Sequence, residues 1–126
     1  GGCDMSSVED KIMQKIFTDV RPWGNFRQFT FNEICTVKIL TVNRDQVLSK
    51  QRHQNRDELW HVIDDGLRIE IDDKIIDPKP GDEVVIPRKS MHRLSSRGKT
   101  GRVLEISFGE FDENDIERFD DKYGRS

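Results

Sequence analysis

Cysteine is nearly missing from this chain of 126 residues, which holds only two, Cys3 and Cys35. Cys3 falls in the N-terminal tail and Cys35 in an apolar strand pattern. Such a pair builds no disulfide framework, and no CxxC spacing marks a structural zinc site. A reducing cytoplasm is the expected compartment. Long apolar runs are missing as well. None is long enough to span a bilayer and none forms a signal-peptide core, so no membrane partner is expected. An excess of one charge is missing too: 21 Lys and Arg against 24 Asp and Glu leave a formal net charge of -3. That balance gives no electrostatic argument for nucleic acid or an anionic surface, so no nucleic-acid partner is expected. The chain shows no internal repeat, low-complexity tract or interior linker, which leaves one domain of ordinary size.

Hydrophobic residues make up 33% of the chain and charged residues 36%. The apolar set must therefore be concentrated on the inner faces of a few elements, and a core can form at this length without a staple. Gly1 and Gly2 precede Met5, and residues 1–5 are left out of the fold reading. Ser6-Ser7-Val8-Glu9 fits an S-x-x-E capping box. Val8, Ile12, Met13, Ile16 and Phe17 recur at helical spacing, so one short helix is expected to end before Arg21-Pro22. From residue 26 the apolar period changes to two. Strands are expected over residues 26–31, 34–42, 48–53 and 58–63. Further strands are expected from Leu67 to Ile71, over 74–76, 84–87 and 91–94, and from Arg102 to Phe108. Asp64-Asp65-Gly66, Asp72-Asp73 and Pro78-Lys79-Pro80-Gly81 read as turns. Asp115-Ile116-Glu117-Arg118 reads as helical. Many short strands separated by turns argue an all-β sandwich or small barrel, with residues 1–20 as tail and helix and 21–126 as the barrel domain.

The stretch QRHQNRDELW, residues 51–60, gathers polar side chains before an apolar run. Gln51 and His53 share a strand face, as do Glu58, Trp60 and Val62, whereas His61 points the other way. In a barrel, His92 can come opposite them. The set would hold two imidazoles, one carboxylate and one amide oxygen. Without a thiolate, this is no closed structural zinc site. Open positions on the ion suit catalysis or ligand binding better. Singly, each residue has an ordinary alternative: His61 and any strand histidine as packing residues, Glu58 as a solvated charge, Gln51 as a plain polar residue. Their order, Q-x-H, then E, then G, then G-x5-P-x4-H, points to a site.

These residues resemble the cupin superfamily. Gln51, His53, Glu58 and Gly66 match its first motif, and Gly81, Pro87 and His92 its second. Asp45 and Lys89 stand where the two motifs have glycine, and Ser96 where the second has asparagine. More closely, the chain resembles the C-terminal isomerase domain of type II phosphomannose isomerase / mannose-1-phosphate guanylyltransferase. The matching segments are Arg21-Pro22-Trp23-Gly24, Leu48-Ser49-Lys50-Gln51-Arg52-His53, Arg56-Asp57-Glu58-Leu59-Trp60, and 115–125, which ends in Tyr123-Gly124-Arg125. The resemblance implies a single cupin jelly-roll barrel with a short N-terminal helix. It implies an isomerase interconverting mannose 6-phosphate and fructose 6-phosphate in the supply of GDP-mannose. It also implies one divalent metal ion (Zn, Mn, Co or Mg) held by Gln51, His53, Glu58 and His92. Arg56, Glu58 and His92 are the expected catalytic residues. Arg56, Arg93, Lys89 and Arg125 are the expected contacts to a hexose phosphate. Arg56 has an alternative as a salt-bridge partner of Asp57 or Glu110, and Glu105 and Tyr123 are both open as the proton-transfer base. Trp23 and Trp60 suit either sugar stacking or core. Without a G-x-G-x-R segment, guanylyltransferase activity is not expected. Family habit and the open strand edges of such barrels imply a homodimer. Two other classes stay open: a non-haem oxygenase on His53, Glu58 and His92, and a non-catalytic metal or sugar-phosphate-binding cupin.

Overall fold

The computed structural model describes residues 7–119. A single helix, α1 (Ser7–Met13), precedes eleven strands: β1 (Phe17–Arg21), β2 (Gly24–Gln28), β3 (Cys35–Val42), β4 (Lys50–Arg52), β5 (Glu58–Val62), β6 (Leu67–Ile71), β7 (Lys74–Ile76), β8 (Glu83–Ile86), β9 (Met91–Ser96), β10 (Gly101–Phe108) and β11 (Glu117–Phe119). β1 and β2 form a hairpin. The others form a four-stranded sheet, β3-β10-β5-β8, and a five-stranded sheet, β11-β4-β9-β6-β7. All pairings are antiparallel.

The core sits between the two larger sheets. Val42, Trp60, Val62, Leu67, Ile69, Ile86, Leu94 and Val103 form one buried cluster. They alternate with outward residues along each strand, as a sandwich requires. α1 covers the outer face of the four-stranded sheet, where Ile12 and Ile16 pack on Leu59 and Ile106. Each such side chain contributes about 1.5–3 kcal/mol when fully buried. No helix among the described residues is long and apolar enough to cross a membrane.

Two expectations are corrected. The N-terminal helix ends at Met13, and Phe17 begins a strand rather than closing the helical stripe. The register Phe17↔Gln28 through Arg21↔Gly24 draws residues 17–21 into the hairpin, turning at Pro22-Trp23. At the other end, Glu117–Phe119 is a strand and not a helix, because it pairs with β4. The helix-capping residue Ser6 lies outside the described residues, as do Tyr123 and Arg125.

The turns explain two departures from the cupin pattern. Asp45 (φ 59°) and Lys89 (φ 71°) both occupy the left-handed region that glycine enters freely. Asp45 is held by its carboxylate, which accepts the Gly98 N–H at 2.7 Å. Lys89 is held by its own N–H, donated to the His53 carbonyl at 2.6 Å.

Candidate metal centre

Three separate segments deliver the buried donors. His53 follows the last residue of β4, Glu58 opens β5, and His92 is the second residue of β9. Gln51 lies directly across from His92 on neighbouring strands. One donor atom from each of His53, Glu58 and His92 lies within 4.8 Å of the others. All three residues are buried, with Glu58 only 1% exposed. The imidazole centroids are 5.0 Å apart, and the Trp60 ring meets His92 edge-on at 5.6 Å.

The hydrogen bonds orient these donors. His53 Nδ1 lies 2.8 Å from the Asp115 carbonyl oxygen. A carbonyl can only accept, so Nδ1 is the donor and Nε2 is the nitrogen turned toward Glu58 and Arg56. His92 Nδ1 makes the same kind of contact, at 3.4 Å, with the Ser90 carbonyl. Histidines that hold a metal through one ring nitrogen commonly donate the other to such an oxygen. Burial pushes the His92 pKa down to about 4, so the ring is neutral near pH 7. Burial also opposes the charge of Glu58, but the Arg56 guanidinium, with His53 and His92, outweighs it and lowers the carboxyl pKa. Two imidazoles and a carboxylate are a fitting donor set for a divalent ion. Gln51 donates Nε2 to Ser49 Oγ at 3.1 Å, which leaves its amide oxygen without a protein partner among the described residues.

Arg56 locks this cluster. Its Nε donates to Glu58 Oε2 at 2.9 Å, Nη1 to the Asp112 carbonyl at 3.3 Å, and Nη2 lies 3.3 Å from His53 Nε2. The ion pair that the sequence suggested with Asp57 or Glu110 is therefore with Glu58. Asp57 binds Arg88 instead. Glu58 Oε1 also accepts from Trp60 Nε1 at 3.1 Å and Oε2 from Ser107 Oγ at 3.3 Å. Trp60 is thus core and Glu58 a buried carboxylate, not a solvated one, while Trp23 is 73% exposed.

The cluster opens into a cavity of about 470 Å³, lined by Gln51, His53, Arg56 and Glu105 among others. Burial, then the charge of Glu58, pushes the Glu105 carboxyl up to about 7. The far wall is the segment after β10. Phe111 lies under two cations, with Lys38 Nζ and Arg56 Cζ each 4.2 Å from its ring centroid. Asp115 ties this segment to the β4–β5 turn, its carboxylate accepting the N–H groups of Gln54 at 2.8 Å and Asn55 at 2.9 Å.

Of the residues expected to act, Gln51, His53, Arg56, Glu58 and His92 meet at this site. Arg93 does not: it alternates with His92 on β9 and lies across from Glu70 on the opposite face. Lys89 sits in the exposed β8–β9 turn and is not among the cavity-lining residues. Arg125 lies outside the described residues. His61 faces outward, as expected, with Nδ1 2.7 Å from Glu83. Lys38, Phe111, Asp115 and Arg118 were not anticipated. For Lys38 a signal existed, because period-two alternation from Val42 through Leu40 points it inward.

Comparison with known proteins agrees with this geometry. The family described as "Mannose-6-phosphate isomerase C-terminal" matches residues 8–121. "Alginate biosynthesis protein AlgA" of Pseudomonas aeruginosa is 35% identical over 84% of this chain and 22% of its own length. "Mannose-1-phosphate guanylyltransferase ManC" of Salmonella typhimurium is 31% identical over 97% of this chain and 28% of its own length. The chain thus spans well under a third of these relatives. Among solved structures, KdgF from Halomonas sp. superposes with TM-score 0.60 at 16% identity, covering 79% of this chain and 84% of that one. A cupin 2 conserved barrel domain protein from Rhodopseudomonas palustris gives TM-score 0.59 at 19% identity, covering 68% and 60%. Those structures share the fold, and the family match with AlgA and ManC carries the assignment: the chain is a cupin of the mannose-6-phosphate isomerase C-terminal family.

Proposed function

We propose that this chain is a metal-dependent aldose–ketose isomerase interconverting mannose 6-phosphate and fructose 6-phosphate, with the ion held by Gln51, His53, Glu58 and His92. One observation carries the reading: a buried His–Glu–His donor cluster, with an arginine locked onto it, reached through His53 and Arg56 from a cavity of about 470 Å³. A cavity of this size suits a hexose phosphate. A bound divalent ion would supply an electrophile for the oxyanion that develops when the proton leaves C2. The chain's own residues do the rest. Arg56 holds Glu58 ionised and presents positive charge where the enediolate oxygen forms. Glu105, the buried carboxylate beside Glu58, carries the proton between C1 and C2. A homodimer belongs to the same reading. The edge strand β3 leaves Val37 54% and Ile39 58% exposed, a face that a second copy would cover.

The test is an NMR time course with mannose 6-phosphate after EDTA treatment, then with Mn, Co, Zn and Mg restored separately. Fructose 6-phosphate should appear only in metal-restored samples. Metal-loaded protein that converts none would overturn the isomerase.

A second reading has its own observation. Arg56 already satisfies Glu58 Oε2 and faces His53 Nε2, so the cluster is internally neutralised without an ion. A sugar-phosphate-binding cupin without turnover would use it in that form. Hexose phosphate binding that EDTA leaves unchanged would mark this alternative.

A further inference from the structure

Two strand rows run from the donor cluster to the open side of the sandwich. On one sheet, His92, Gln51 and Arg118 lie directly opposite one another across β9, β4 and β11. On the other, Trp60, Glu105 and Lys38 do so across β5, β10 and β3. Residues directly opposite in an antiparallel pair point to the same face, so each row faces the interior of the sandwich, where Gln51, Arg118, Glu105 and Lys38 line the cavity. Each row ends in a cation on an edge strand, and both Lys38 and Arg118 line the cavity.

These two cations differ from the other basic groups near the site. Arg56 spends its donors on Glu58, Asp112 and His53. Arg52 is paired with Glu117 and Arg88 with Asp57. Lys38 lies across from Glu105 and feels its charge, but among the described residues neither Lys38 nor Arg118 forms a close ion pair with a carboxylate. Arg118 Nε is buried and has no hydrogen-bond partner among them. A buried donor left unmade costs about 1–3 kcal/mol, which a ligand oxygen would recover. The Phe111 ring keeps the Lys38 ammonium at the cavity, 4.2 Å from its centroid. Arg118 lies two strand spacings from His92, about 10 Å between backbones. A phosphate at one end of a hexose chain can therefore reach Arg118 while the other end reaches the donor cluster.

We propose that Lys38 and Arg118 form a phosphate subsite at the seam between β3 and β11, gripping the phosphate of a sugar phosphate from opposite sheets. The proposal rests on the sugar-phosphate reading above, but not on turnover. Arginine offers a planar fork and lysine a point charge, a combination that suits a phosphate dianion. Glu113 lines the same cavity, is exposed, and opposes the two cations.

Calorimetric titrations with mannose 6-phosphate, mannose and inorganic phosphate test this on the full chain and on Lys38→Met, Lys38→Arg, Arg118→Gln and Glu113→Gln. Lys38 is exposed, so its variants keep the fold, which an unchanged urea midpoint verifies. Lys38→Met and Arg118→Gln should each weaken mannose 6-phosphate at least tenfold and leave mannose unchanged. Lys38→Arg should restore most of the binding, and Glu113→Gln should tighten it. Phosphate should compete with mannose 6-phosphate in the parent chain. If Lys38→Met binds mannose 6-phosphate as the parent does, or the parent prefers it no more than mannose, the subsite is wrong. Isomerisation, followed separately by NMR, keeps the two ideas apart. Binding that depends on Lys38 without turnover upholds the subsite and removes the isomerase. Turnover with an unchanged KM in Lys38→Met does the reverse.

Discussion

His53 Nδ1 lies 2.8 Å from the carbonyl oxygen of Asp115, which is 62 residues further along the chain. The Asp115 carboxylate meanwhile caps the N–H groups of Gln54 and Asn55. One residue thus fixes both the tautomer of His53 and the turn that carries it.

Asp115→Ala should therefore cost metal affinity although Asp115 is no donor. The variant keeps the backbone carbonyl that faces His53 Nδ1 but loses the carboxylate that pins the turn against it, and a disturbed outer hydrogen-bond partner of a ligand commonly costs up to about 10–100-fold. A chelator-competition titration measures the change. A metal affinity equal to that of the parent chain would show that the turn holds without its cap.

Arg56→Ala should destabilise the metal-free protein by roughly 3–5 kcal/mol, because it strands a buried carboxylate. Urea unfolding with and without added ion checks this. A divalent ion should recover more stability in the variant than in the parent, since Glu58 would regain a cationic partner.

The pH dependence of metal-free stability follows from two opposed groups. His92 has its pKa lowered to about 4 in the fold, so the unfolded chain binds the extra proton, and stability rises with pH between about 4 and 6.5. Glu105 has its pKa raised to about 7, so the folded chain binds the extra proton, and stability falls with pH between about 4.5 and 7. The two slopes oppose each other where they overlap. Glu105→Gln should expose the rising slope and His92→Gln the falling one. Urea midpoints across pH 4–7.5 read both, and two variants with the same slope would contradict the assignment.

Lys89→Gly should stabilise the protein by about 0.5–1 kcal/mol, by relieving a left-handed backbone at φ 71° net of the extra freedom of glycine when unfolded. Lys89→Ala should not. A higher thermal midpoint for the glycine variant alone is the expected outcome.

The convergence of Gln51, His53, Glu58 and His92 was legible because their order survives in the sequence. Gln51-x-His53 and Glu58 flank one turn, and His92 follows a glycine and a proline at cupin spacing. The strands were legible because inward residues such as Val62, Leu67 and Ile69 alternate with polar ones. What failed was long-range. Residues 115–118 look locally helical, yet their state is decided by pairing with β4. Phe17 continues a helical stripe but is claimed by its partner Gln28. Arg93 and Arg118 are both strand arginines in this sequence, and only the pleat tells which one faces the cavity. Arg118 could not be placed until β11 was known to be a strand.

The Asp115 contact also sets an order of events. During synthesis, His53, Glu58 and His92 all emerge before the residue that fixes the first of them. A growing chain can hold all three donors yet lack the bond that sets the His53 ring. The centre becomes complete only when the last described strand closes on β4, so a properly formed site certifies that the chain has been made through to that strand.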